Sequence, residues 1–255
     1  MLFAIDIGNT NIVLGIFADD SLAATWRVET KKQKTADEYA ILIRNLLAAD
    51  DFAPEHIHGA IISCVVPPLQ SVFENVIHKL FDCRPVVVGP GIKTGMPILY
   101  DNPKEVGADR IVNAVAAFDK VGDSLVCIDF GTATTFDVVS EKGEYLGGII
   151  TPGITISLDA LFFRASKLPR IDLSPPRHVI GKNTIESIQS GVLYGYIGLV
   201  DGIVQRIWHE LDRKVYTMAT GGLAELIAPQ SKTIKEVDQD ITLRGLLLLY
   251  HLNRG

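Results

Sequence analysis

Cysteine is scarce in this 255-residue chain, and the three present, Cys64, Cys83 and Cys127, are scattered among apolar neighbours. An odd count without paired spacing excludes a disulfide scaffold and the usual zinc ligand sets, and it fits a reducing compartment. Cys127 lies inside a strand-like run and reads as core. Basic charge is also thin: 24 Lys and Arg against 30 Asp and Glu leave a net charge of −6. No basic stripe of the kind a nucleic-acid surface needs is present. No apolar run approaches the ~20 residues of a membrane span. The start "MLFAIDIG" lacks a basic n-region and carries Asp6 where a signal peptide would be apolar. The expectation is a cytoplasmic protein with neither nucleic acid nor membrane as partner. An anionic ligand is not excluded, because backbone amides hold phosphates without lysine.

Several catalytic signatures are missing too. The six histidines show no HExxH pattern, and no Ser-His-Asp arrangement can be argued. "GKNT" (181–184) has the tail of a P-loop, but Pro176 stands where its first glycine is required. "GPGIKTG" (89–95) misses the dinucleotide-binding spacing.

What is there is an α/β pattern that occurs twice. Residues 2–8, 11–18 and 22–29 read as three strands, followed by a helix that opens on the capping box "TADE" at Thr35 to Glu38. A buried strand (59–66), a proline-opened helix (67–81), the short strand "PVVVG" and a helix at 103–119 complete the first half. The second half starts again with strands at 124–131, 134–140 and 143–151. Helices follow near 153–164 and 184–211, then a strand at 215–222 and a last helix at 239–252. The two lobes are expected at 1–118 and 119–255, with a cleft between them. The stretch 166–184 holds three prolines and no periodicity, and reads as a loop long enough to serve a function.

Each half opens on a strand carrying Asp-x-Gly. Asp6 and Gly8 in "DIGNTN" recur 123 positions later as Asp129 and Gly131 in "DFGTAT" (129 − 6 and 131 − 8). A buried carboxylate is costly unless something balances it. Glycine lets a ligand approach the backbone, turn amides can form an anion nest, and Thr10 and Asn11 add donors. Asp6 would then sit where a phosphate-bound cation needs an oxygen. The alternative at either site is a β-hairpin whose Asn and Gly serve only the turn; the repetition favours phosphate and cation handling. "TGG" (220–222) either lets an adenosine ring lie against the backbone or is a plain strand-to-helix turn. In "YDNPKEVGADRIVNAVAAF", Gly107 is odd inside a helix, where it costs about 1 kcal/mol. Asp109 and Arg110 beside it are a candidate base and anion clamp, or equally an acid favouring the helix dipole and a solvated charge.

Together these segments resemble the type III pantothenate kinases of bacteria, members of the acetate and sugar kinase/Hsp70/actin superfamily. The resemblance runs nearly end to end, through "DIGNTNIVLGIF", "ISCVVPP", "DNPKEVGADRIVNAVAA", "CIDFGTATTFDVV", "GGIITPGI", "SGVLYGY" and "ATGGLA". It implies a duplicated actin-like, ribonuclease H-like two-lobed α/β fold with mixed sheets. It also implies ATP-dependent phosphorylation of pantothenate at its terminal hydroxyl, the first step toward coenzyme A. Carried over residue by residue, Asp6, Ile7, Gly8, Asn9, Thr10, Asn11, Ile12 and Val13 line the ATP phosphates, and Thr132 touches ATP. Asp109 is the general base. Tyr100, Gly107, Ala108, Arg110 and Thr184 contact pantothenate. Asp129 binds a monovalent cation, K+ or NH4+, and ATP comes with Mg2+ or another divalent cation. The resemblance further implies a homodimer. Two rivals stand beside it: another small-molecule kinase or phosphatase of the superfamily, and a non-enzymatic regulator or filament protein.

Overall fold

The computed structural model describes residues 1–165 and 167–254. The chain forms two compact units, Met1–Ala116 with the segment from Asp240 onward, and Ala117–Gln239. The chain passes from the first unit to the second within one helix, and returns just before the last helix.

The first unit is built on a five-stranded sheet, order β3-β2-β1-β4-β5. Its strands are β1 (Leu2–Ile7), β2 (Asn11–Ala18), β3 (Ser21–Glu29), β4 (Gly59–Cys64) and β5 (Val86–Val87). β1 is antiparallel to β2 and parallel to β4. The central position explains the near-continuous apolar run of β1, since such a strand is covered on both faces. Phe3, Ile5 and Ile7 pack against helices α1 (Ala36–Ala49) and α2 (Pro67–Phe81), through Tyr39, Ile43 and Phe73 among others. Leu2 and Ala4 point the other way, to α3 (Ala108–Val121) and the last helix. Each fully buried Phe or Ile here contributes roughly 1.5–3 kcal/mol. The capping box is formed in full: Thr35 Oγ1 accepts the Glu38 amide, and Glu38 Oε2 accepts the Thr35 amide at 2.8 Å.

The second unit repeats the plan. Its strands are β6 (Leu125–Phe130), β7 (Ala133–Val139), β8 (Tyr145–Pro152), β9 (Tyr216–Thr220) and β10 (Glu236–Val237), ordered β10-β9-β6-β7-β8. β6 takes the place of β1: it is antiparallel to the next strand and parallel to β9. Helices α4 (Ile154–Arg164), α5 (Thr184–Glu210) and the short α6 (Ala224–Ile227) follow, and α5 supplies Leu193, Val200 and Val204 to the core under Val126, Ile128 and Phe130. The last helix, α7 (Ile241–Asn253), closes the chain.

Three expectations change. The helix at 103–119 is broken: Pro103–Glu105 is a single 3-10 turn, and α3 starts afresh at Ala108. β5 shrinks to two residues, and β10 was not anticipated. Residues 119–255 do not stay together, because α7 lays Leu243, Leu246 and Leu249 on the Leu2/Ala4 face of the first sheet. A terminal helix can return to the opening strand, which local periodicity does not reveal. The expected loop carries no helix or strand over residues 167–183, and Ser166 at its head lies outside the described residues.

Candidate active site

Side chains alternate along a strand, so Asp6 shares the Leu2/Ala4 face that α3 and α7 cover. Its register partners are Val13 on β2 and Ser63 on β4. Asp6 Oδ1 and the Ser63 hydroxyl are both buried and have no hydrogen-bond partner among the described residues. Burial, reinforced by the nearby charge of Asp109, pushes the Asp6 carboxyl up to about 7, while the Ser63 hydroxyl pulls in the opposite direction. An orphaned buried carboxylate oxygen is the donor that a phosphate-bound divalent cation requires, so the residues present fit one.

The carboxylate of Asp109 is held by the start of α3. Gly107 caps the helix, its carbonyl accepting the amides of Arg110 at 3.1 Å and Ile111 at 3.2 Å. Asp109 Oδ1 accepts the Arg110 amide at 2.8 Å. Gly107 is therefore not inside a helix, and no interior penalty applies. Its need is local: a Cβ at this position would lie 2.6 Å from Asp109 Oδ1. Burial raises the Asp109 pKa, with the Arg110 amide and then the guanidinium charge opposing. The Arg110 side chain is itself buried. Tyr100 precedes the 3-10 turn, which Asn102 caps by accepting the Lys104 amide and donating to Glu105 at 2.7 Å. Gly107 and Ala108 line a cavity of about 840 Å³, together with Cys64, Val65, Gly91 and Ile111.

The turn from Gly8 to Asn11 is braced by Thr30, the first residue of the segment "TKKQKT" that joins β3 to the capping box. Thr30 donates its hydroxyl to the Gly8 carbonyl at 2.7 Å and its amide to the Thr10 carbonyl at 3.0 Å. The Asn11 carbonyl accepts the Gly8 amide at 3.0 Å. The carbonyls of Gly8, Thr10 and Asn11 are thus all occupied within the protein. Nothing in "TKKQKT" marked Thr30, because its partners lie about 20 residues upstream.

In the second unit Asp129 occupies the place of Asp6, beside Thr135 on β7 and Thr220 on β9. Gly221 has φ +92°, and a Cβ there would lie 2.5 Å from Asp129 Oδ1. The first glycine of "TGG" is thus required by this carboxylate. Thr132 follows Gly131 in the turn, and its carbonyl accepts the Gly153 amide at 3.1 Å. Thr184 is exposed, directly after the Asn183 cap of α5. It lines a second cavity of about 550 Å³ with Lys182, Ser187 and Ile188.

The profile of a family described as type III pantothenate kinase matches residues 2–206. A protein of Myxococcus xanthus named type III pantothenate kinase is 55% identical over 255 residues, covering 100% of both chains. A protein of the same name from Geobacter sulfurreducens is 57% identical over 254 residues, again covering 100% of both. The chain belongs to the type III pantothenate kinase family. Among solved structures, a ROK family glucokinase from Streptomyces griseus shares 12% identity at a TM-score of 0.55, covering 97% of this chain and 98% of its own. A structure described as a Baf family transcriptional activator from Campylobacter jejuni shares 19% identity at a TM-score of 0.60, covering 98% of both chains. At such identities these two speak for the fold alone, a mixed two-lobed α/β architecture.

Set against the residues that the family resemblance singles out, the first unit brings together Asp6, the Gly8–Val13 turn and Asp109. Gly107 and Ala108 lie on the wall of the larger cavity. Asp129, Thr132 and Thr184 belong to the second unit, with Thr184 on a cavity of its own.

Proposed function

We propose that this protein transfers the γ-phosphoryl group of ATP to the terminal hydroxyl of pantothenate, giving 4'-phosphopantothenate and ADP, the first step of coenzyme A synthesis. The observation that carries the reading is the full-length identity of 55–57% to proteins named type III pantothenate kinase. In the mechanism, the pantothenate hydroxyl oxygen attacks the γ-phosphorus, the bond to the ADP oxygen breaks, and the hydroxyl proton passes to Asp109. Such a transfer needs mostly positioning and charge stabilisation. Asp6 to Val13 hold the ATP phosphates, and Asp6 offers its orphaned oxygen to the divalent cation. When bound, that cation neutralises phosphate charge. Arg110 takes the pantothenate carboxylate, with Tyr100, Gly107, Ala108 and Thr184 as further contacts. Thr132 touches ATP. Asp129 binds K+ or NH4+, a role supported by the repetition of the Asp6 strand and by the glycine packed on its carboxylate.

The working form in this reading is a homodimer. Supporting surface exists on the second unit, where Phe163 is 70% exposed on α4 and Ile180 is 74% exposed in the loop before α5. Our assignment to the cytoplasm rests on three free cysteines, as suits a reducing compartment. No helix among the described residues is long and apolar enough to cross a membrane.

ADP release from purified protein with ATP, Mg2+ and pantothenate, with and without K+, tests these roles together. Turnover that needs pantothenate and K+ is expected. Turnover indifferent to K+ would remove the role given to Asp129. A folded protein that binds ATP without turnover would redirect the search to another acceptor or to a regulator.

A further inference from the structure

Ser63 has no part in the roles above, yet its placement is costly. It is fully buried on β4, in a run whose neighbours Ala60, Ile61 and Ile62 are also fully buried. Its hydroxyl has no hydrogen-bond partner among the described residues. An unsatisfied buried hydroxyl destabilises a fold, and alanine would fill nearly the same space without that cost. The strand end is fixed at this point: the Val65 amide donates to the Ile7 carbonyl at 3.0 Å, and Cys64 Sγ donates to the Val66 carbonyl at 3.2 Å. Ser63 is therefore held in register with Asp6 on the parallel neighbour, the two side chains on one face.

The second unit repeats the pairing. Asp129 on β6 is in register with Thr220 on the parallel neighbour β9, and Thr220 is buried too. Each half of the molecule thus sets a hydroxyl beside its strand-end acid. Turn conformation does not require this, since both hydroxyl residues precede their turns.

We propose that Ser63 is a positioning residue for Asp6: in the nucleotide-bound state its hydroxyl donates to one carboxylate oxygen of Asp6 and so aims the other at the divalent cation. The inference rests on the kinase reading for the cation's presence. Residues that orient a metal ligand affect affinity by about 10–100-fold when removed.

The test is Mn2+ binding to the protein with a non-hydrolysable ATP analogue, read as loss of the free-Mn2+ electron paramagnetic resonance signal, in wild type, Ser63→Ala and Ser63→Thr. Ser63→Ala should weaken Mn2+ by about tenfold, and Ser63→Thr should stay within about threefold of wild type. In turnover, the Mg2+ requirement should rise for Ser63→Ala, with the pantothenate KM unchanged. Equal Mn2+ affinity in wild type and Ser63→Ala would overturn the proposal, as would equal loss in both variants. Binding requires no pantothenate, so a wild type that fails to phosphorylate pantothenate while the Mn2+ pattern holds would sink the substrate reading and leave this one standing.

Discussion

Thr30 donates its hydroxyl to the carbonyl of Gly8 at 2.7 Å, across 22 positions of chain. Together with its amide bond to Thr10, this ties the end of β3 to the turn that follows Asp6. Thr30→Val keeps the shape and removes the donor. One hydrogen bond of this kind is worth about 1 kcal/mol, so the melting temperature should fall by only a few degrees. The larger effect should appear as a rise of roughly fivefold to tenfold in the ATP KM, with the pantothenate KM unchanged. Steady-state kinetics with each substrate varied in turn would check it.

Gly107 and Asp109 are coupled in the same way on α3. A Cβ at 107 would sit 2.6 Å from Asp109 Oδ1. Gly107→Ala should therefore displace the carboxylate from its bond to the Arg110 amide and lower kcat by about 10–100-fold. Asp109→Asn, which removes the proposed base, should lower kcat by about 100-fold or more with both substrates still bound. If Gly107→Ala kept full kcat, the displacement argument would fail. If Asp109→Asn kept it, the base assignment would fail.

Asp109 is also expected to set the acid limb of the pH profile. Burial raises its pKa above the ordinary carboxylate value, and a general base acts only when deprotonated. With ATP and Mg2+ saturating, so that the bound cation keeps Asp6 ionised, the profile of kcat/KM for pantothenate should thus turn down at a higher pH than an unperturbed aspartate would give. Arg110→Lys would test the opposing charge: a lysine keeps the cation but loses the fork geometry, so the limb should stay in place while the pantothenate KM rises. A limb at the unperturbed aspartate position would argue against the buried base.

Much of this was legible in the sequence. The capping box, the three-strand openings of both halves and the offset between Asp6 and Asp129 are all local patterns, and each fold element they imply is formed. The two strand-end acids stood out because an acid within an apolar strand is anomalous on its own. What could not be read were long-range pairings. Thr30 braces a turn about 20 residues upstream, Ser63 meets Asp6 across a sheet, and α7 returns to β1 from the far end of the chain. The reading of Gly107 failed for a related reason. Proline and asparagine at 102–103 signal a helix start correctly, but not that the first turn stops and a second helix begins at Ala108.

Asp6 gives the protein a pH-dependent stability of known sign. Its carboxyl rises from 3.8 to about 7 in the folded, ligand-free state, so the folded state holds a proton that the unfolded chain has lost. Stability from this group is complete below about pH 4 and is lost as pH rises toward 7. The full effect is about 4 kcal/mol as an upper bound, at 1.36 kcal/mol per unit. Asp6→Asn carries no charge at any pH. In metal-free buffer it should melt several degrees above wild type at pH 8, and the gap should narrow toward pH 5. An equal gap at both pH values would mean that Asp6 does not carry the shift.

Gly221 offers the matching test in the second unit. It combines a left-handed backbone, φ +92°, with a Cβ position 2.5 Å from Asp129 Oδ1 and 2.7 Å from the Phe130 amide. Gly221→Ala adds backbone strain of order 1 kcal/mol and pushes the carboxylate from its place. If Asp129 binds the monovalent cation, the K+ concentration for half-maximal turnover should rise about tenfold or more. Saturating K+ should then restore most of kcat. Asp129→Asn should not be rescued by K+, because it removes the charge and not just its position. A Gly221→Ala enzyme with lower kcat but an unchanged K+ requirement would place the damage elsewhere, in the strand-to-helix turn itself, and would count against Asp129 as the cation ligand.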